Sequence, residues 1–112
     1  MAVGVSAMYQ HLRGDNNVAV GVQAGYRDSA GSSSVYIGRD AAFNNQRSFI
    51  VAIGQQALAN NTFGGTLPTD GQLNTAVGTQ ALFNNTTGER NTAVGYLAGL
   101  SYCRRKAILS LP

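Results

Sequence analysis

The chain has 112 residues, 44% of them hydrophobic and 12% charged, which is one domain's length and far too apolar for a disordered tail. Its formal charge of +3 is carried by Arg104, Arg105 and Lys106 together, because the other five basic residues are balanced by Asp15, Asp28, Asp40, Asp70 and Glu89. A neutral body excludes the broad basic surface that nucleic-acid binding requires, and no apolar run is long enough to span a membrane as a helix.

The first predicted element is a strand at Ala2 and Val3, closed by Gly4, and the same device then recurs along the whole chain. Its copies end at Gly21, Gly38, Gly54, Gly78 and Gly95, so successive landmark glycines lie 17, 17, 16, 24 and 17 residues apart. A period of this size is the signature of a solenoid. Before each glycine stands Val3, Val20, Ile37, Ile53, Val77 or Val94. Before those stand Ala2, Ala19, Tyr36, Ala52, Ala76 and Ala93. Alternation such as Val18, Ala19, Val20 or Val51, Ala52, Ile53 is the period of a strand, with β-branched residues on one side and Ala or Tyr on the other.

After each landmark comes an alanine without exception: Ala7, Ala24, Ala41, Ala57, Ala81 and Ala98. Two residues further stand Tyr9, Tyr26, Phe43, Ala59, Phe83 and Leu100, an aromatic column expected to plug a corner. Asn44 and Asn45, Asn60 and Asn61, and Asn84 and Asn85 then mark turns. A second glycine at Gly14, Gly31, Gly64 and Gly88 fits a tight or left-handed corner. Each unit therefore reads as strand, corner, short strand, corner, and stacked units about 4.8 Å apart form ladders of like residues. Six rungs at that spacing give a block about 29 Å tall.

The fold expected is all-β, a parallel β-solenoid over residues 1–100, followed by a non-repeat tail over residues 101–112. With inner columns of Val and Ala, one thin coil buries little area against an ordering cost of about 1.5 kcal/mol per residue, so association is expected to complete it.

The units NTAVGTQAL (Asn74 to Leu82) and NTAVGYLAG (Asn91 to Gly99), with VYIGRDAAF and VAIGQQALA, resemble the head repeats of YadA-like trimeric autotransporter adhesins. Similar repeats are found in some bacteriophage tail-fibre proteins. The resemblance implies a left-handed β-roll, a homotrimer, and contact with host-surface ligands such as matrix proteins or glycans. It places the chain on a cell surface, outside the cell or on a virion, although the sequence shows no signal peptide. By the same resemblance, the landmark glycines and the Val or Ile before them match the motif's glycine and inner strand residue. The alternative readings are a passive segment of a surface or tail fibre, and a small free-standing β-solenoid of unknown binding function.

No set of residues forms a catalytic, cofactor or metal site. His11 is single and reads as a surface turn residue. The acids Asp15, Asp28 and Asp40 fall at different phases of the repeat, so they supply neither the paired carboxylates of a glycan-cleaving enzyme nor a calcium repeat. Cys103 has no second cysteine to pair with, and Gly64 with Gly65 lacks the lysine of a phosphate loop. The sequons at Asn60 and Asn84 arise from the repeated turn, and Arg104 to Lys106 read as a solvated tail.

One feature breaks the regular surface: seven extra residues lie somewhere within the nine positions 65–73, which read Gly65, Thr66, Leu67, Pro68, Thr69, Asp70, Gly71, Gln72 and Leu73. An insertion in one rung of a solenoid projects on one face, so this loop is the candidate partner-contact element. Arg39, Gln55, Thr79 and Tyr96, variable and outward, are second candidates.

Overall fold

In the computed structural model, residues 1–61 and 70–100 are described together with the backbone of Leu109–Ser110. The landmark tripeptides form β1 (Ala2–Val3), β2 (Val18–Val20), β3 (Val35–Ile37), β4 (Val51–Ile53), β5 (Thr75–Val77) and β6 (Thr92–Val94). β7 is Leu109–Ser110. All seven lie in one parallel sheet in chain order, each paired only with its sequence neighbours. The chain is thus a parallel β-solenoid in which β1 to β6 bound five complete turns, with overall extents of 30 × 28 × 20 Å. Register follows the repeat: Ala19 faces Tyr36, Tyr36 faces Ala52, Ala52 faces Ala76 and Ala76 faces Ala93. The period also runs on into the tail, where Leu109 pairs with Thr92, 17 residues earlier, so the sheet continues past the last recognisable motif.

The alternation holds, but its sense differs from the expectation of inner Val. The middle residue of each three-residue strand is the buried one: Ala19, Tyr36, Ala52, Ala76 and Ala93 are fully enclosed. The flanking Val, Ile and Thr face outward, with Ile37 39% and Val94 40% exposed. Opposite the strand alanines lie Ala24, Ala41, Ala57, Ala81 and Ala98, also enclosed. These two alanine columns are the facing walls of the coil, and only a methyl group fits between backbones so close. Where Tyr36 replaces the alanine, Gly25 opens the opposite wall; a Cβ there would lie 2.6 Å from the Tyr36 ring.

The expected second short strand is absent among the described residues, and a run of turns takes its place. Alanine amides reach back to landmark carbonyls, as in Ala41 N–H to Gly38 O at 3.2 Å and Ala57 N–H to Gly54 O at 3.2 Å. Further turns overlap them, as in Phe43 N–H to Asp40 O and Asn45 N–H to Ala42 O. Beyond the landmark glycine, each complete rung requires positive φ at three places or more, illustrated by Asp40 (58°), Ala42 (52°) and Phe49 (62°). Side chains in that region cost about 1–2 kcal/mol each. A second backbone ladder between turns holds them: Ala42 N–H donates to Ala57 O, and Leu58 N–H donates to Ala81 O.

The landmark glycines are required by close approach as well as by φ. At Gly54 (φ 126°) an added Cβ would lie 2.6 Å from the Gly78 backbone, and the neighbouring rungs repeat the geometry. Gly4, Gly21, Gly38, Gly54 and Gly78 each lie directly against the next landmark, so these five must lack a Cβ for the stack to close.

Asparagines expected in turns divide between surface and interior. Asn45, Asn61 and Asn85 are fully buried and form a carboxamide ladder. Asn61 Nδ2 donates to Asn45 Oδ1 at 2.6 Å, and Asn85 Nδ2 donates to Asn61 Oδ1 at 2.7 Å. Asn74, also buried, joins the ladder from the strand side through Asn61 Oδ1 and the carbonyls of Gly71 and Gly88. This polar corner satisfies the backbone carbonyls that the turns leave facing inward.

Candidate functional site

Three surfaces of the coil combine outward side chains into something a partner could contact. The first is the outer face of the sheet. Val3, Val20, Ile37, Ile53, Val77 and Val94 stand one above another, and Val18, Val35, Val51, Thr75 and Thr92 stand beside them. Phe49, 55% exposed, and Leu73, 50% exposed, flank this face, while Val5, Val22 and Tyr96 extend it beyond the landmark glycines. The strand columns of the outer face are apolar except for Thr75 and Thr92, because the β-branched residues that favour strands point away from a coil too thin to enclose them. The columns at its edges mix apolar residues with Arg39, Gln55, Thr79, Asn16, Ser33 and Arg90.

The second surface is the aromatic column. It is a lateral stack, partly exposed, instead of an internal corner plug. Tyr9 and Tyr26 stack at 5.3 Å and 9°, and Tyr26 and Phe43 at 4.9 Å and 1°, which is the rung spacing. The Arg27 guanidinium lies 5.9 Å from the Phe43 ring centre. One rung further the ladder is interrupted, because Ala59 stands where an aromatic would be, before Phe83 resumes it.

That gap is a cavity of about 300 Å³. Ala59 is among its walls, with Phe43 and Phe83 from the rungs on either side. Gln23, Asp40 and Gln56 form one rim, and Asn44 and Asn60 the other. Gln80 Nε2 donates to Gln56 Oε1 at 2.9 Å, and Asn44 Nδ2 donates to Asn60 Oδ1 at 3.3 Å, so both rims are themselves ordered ladders. Asp40 Oδ2 lies 3.6 Å from Arg39 Nε. Asp40 Oδ1 is buried, and no donor reaches it among the described residues.

The third surface is the end of the stack at the first turn, where Ala2, Ala7, Met8 and His11 line a cavity of about 440 Å³. His11 is not a free surface residue. It occupies the column of Asp28 and Asn45, half-buried, with Nδ1 3.1 Å from Asp28 O and Nε2 2.9 Å from Gly14 O.

Asp28 is the most deeply enclosed carboxylate, with no exposure where the buried Asp70 and Glu89 keep 9% and 8%. Gly31 N–H donates to its Oδ1 at 2.6 Å and Tyr36 Oη–H to its Oδ2 at 2.9 Å, while Asn45 Nδ2 donates to Tyr36 Oη at 2.7 Å. Loss of hydration raises the carboxyl above its ordinary value of 3.8, against the hydrogen bonds from Tyr36 and Gly31 and the nearby His11. Burial, then the neighbouring carboxylate, pushes the Tyr36 hydroxyl up as well. The cluster replaces the alanine and asparagine of other rungs with a larger, fully bonded set.

Of the insertion proposed for partner contact, Gly65 to Thr69 lie outside the described residues, as do Gly64, Cys103 and the basic run at Arg104. Its last four residues are described, and they belong to the coil. Asp70 and Gly71 are buried, and Asp70 O accepts from Arg47 Nε at 3.1 Å. Gly71 O accepts from Asn61 and Asn74, which puts Gly71 in the column of Gly31 and Gly88. Leu73 (φ 59°) repeats the conformation of Phe49. Arg39, Gln55, Thr79 and Tyr96 are all exposed. The gap at Ala59 was visible in the sequence as the one short side chain in an otherwise aromatic or leucine column, but its significance depends on the stacking.

Among the described residues no group of three His, Cys, Asp or Glu side chains could hold a metal ion, and no helix is long and apolar enough to cross a membrane. Comparison with protein-family models, with curated proteins and with solved structures gives no match.

Proposed function

We propose that this solenoid is a non-catalytic structural and adhesive module that assembles as a homotrimer of left-handed β-rolls and contacts a surface ligand. The observation that carries the proposal is the outward column of Val and Ile. Six rungs present it in register, it is flanked by Phe49 and Leu73, and a soluble coil would leave it in water. Burying a Val or Ile side chain stabilises by about 1.5–3 kcal/mol, whereas the interior consists mostly of alanines that contribute far less. Packing these faces around a closed symmetry axis supplies the missing burial and stops growth, in keeping with the resemblance of the repeats to adhesin heads. The same resemblance supports a place on a cell surface or virion fibre.

Light scattering coupled to size-exclusion chromatography tests the assembly. Three chains of 11.7 kDa give about 35 kDa, and that mass is expected to persist on dilution to micromolar concentration. A stable species at the mass of one chain would overturn the trimer. Binding to cells or to immobilised matrix proteins and glycans separates the adhesive module from a passive fibre segment.

A further inference from the structure

The interrupted aromatic ladder carries an inference of its own. We propose that the gap over Ala59 is a binding slot for one hexopyranose ring of a glycan, held between Phe43 and Phe83. The inference gives the adhesive reading a ligand class and rests on that reading for its biological use, but the slot is built within a single chain and does not need the trimer.

Spacing is the first argument. With rungs about 4.8 Å apart, Phe43 and Phe83 are two rungs, or about 9.6 Å, apart along the stack. The ring centres of Tyr26 and Phe43 are 4.9 Å apart with parallel planes, so the ladder keeps one ring orientation up to Phe43, which lines the gap. An aromatic side chain at position 59 would continue the ladder at its own spacing, so the gap has room for one ring-sized ligand. A chair-form sugar is of that size and carries C–H groups on both faces, which suit aromatic neighbours. Phe43 and Phe83, which both line the gap, are those neighbours.

The rims supply the second argument. Around the edge of a ring seated there stand Gln23, Asp40 and Gln56 on one side and Asn44 and Asn60 on the other. Carboxamides offer both donors and acceptors, matching hydroxyls, which also do both. Asp40 is the one carboxylate on the rim, and its side chain stays 20% exposed beside Arg39. A sugar hydroxyl can donate to its accessible edge while neighbouring hydroxyls meet the carboxamides. A hydrocarbon or purely aromatic ligand would offer this rim no hydrogen bonds. The cavity, about 300 Å³ and open to the side, has the size of a small-ligand site and lets the rest of a glycan chain leave it.

Saturation-transfer NMR with a panel of methyl hexopyranosides tests the slot on the full-length protein. Saturation of ring C–H protons on both sugar faces is expected for at least one sugar. The Ala59→Phe variant completes the ladder, so it should keep the fold and the solution mass of the wild type while weakening binding at least tenfold. Asp40→Asn, which keeps the shape, should also weaken it several-fold and guards against a folding defect in the first variant. No saturation of any sugar in the panel, equal saturation in Ala59→Phe, or saturation of indole in place of the sugars would overturn the proposal. A wild type that binds sugar as a monomer would sink the trimer and leave the slot standing.

Discussion

At the scale of single residues, Asp28 shows how one position can depart from the repeat and carry a condition with it. Its column elsewhere holds His11 and then Asn45, Asn61 and Asn85, whose neutral carboxamides replace water with hydrogen bonds to one another when buried. Because burial raises the Asp28 carboxyl above 3.8, the folded protein holds a proton there that the unfolded chain has already released. Stability from this group is therefore complete below pH 3.8 and is lost as pH rises through the raised folded value. Asp28→Asn keeps an acceptor for Gly31 N–H and is expected to melt above the wild type at pH 7. The difference should narrow as pH falls toward 3.8. A difference that stays constant with pH would mean that the carboxylate's charge is not what burdens the fold.

Within one rung, the decisive element is the turn run between strands, where the chain alternates between ordinary and left-handed backbone. The same local physics predicts opposite outcomes at two sites. Gly54→Ala places a Cβ 2.6 Å from the Gly78 backbone at φ 126°, and should cost on the order of 3 kcal/mol in chemical denaturation. Ser33, exposed at φ 56°, pays for a left-handed conformation that glycine adopts freely. Ser33→Gly relieves about 1–2 kcal/mol of strain against about 0.4–1 kcal/mol of added unfolded-state entropy, and should stabilise slightly. Equal loss at both sites would show that side-chain contacts, and not backbone conformation, govern the turns.

For the whole molecule, the balance lies between a lean interior and a rich outer face. Alanine walls let the coil be thin, and thinness is what turns the Val and Ile columns outward. If those columns meet their copies in the proposed trimer, charges placed on adjacent rungs should dissociate it while leaving each coil's alanine walls intact. Ile37→Glu combined with Ile53→Glu is expected to reduce the solution mass from about 35 kDa to the 11.7 kDa of one chain, with a β-type circular dichroism spectrum retained. An unchanged mass would place the interface elsewhere on the coil.

The sequence by itself determined the solenoid, its period and its landmark glycines, because a repeat stacked in register makes every position answer to its own copy one turn away. Strand alternation was equally legible as a pattern. Which side faced inward was not, since Val and Ala are both apolar and only the distance between the two walls selects the methyl group. That distance is a property of the closed coil. The turn run was hidden for a related reason: Ala42, Phe49 and Leu58 are not residues that announce a left-handed backbone, and they hold it because neighbouring rungs fix their amides. The slot at Ala59 likewise exists only once Phe43 and Phe83, 40 residues apart in the chain, become neighbours across one missing ring.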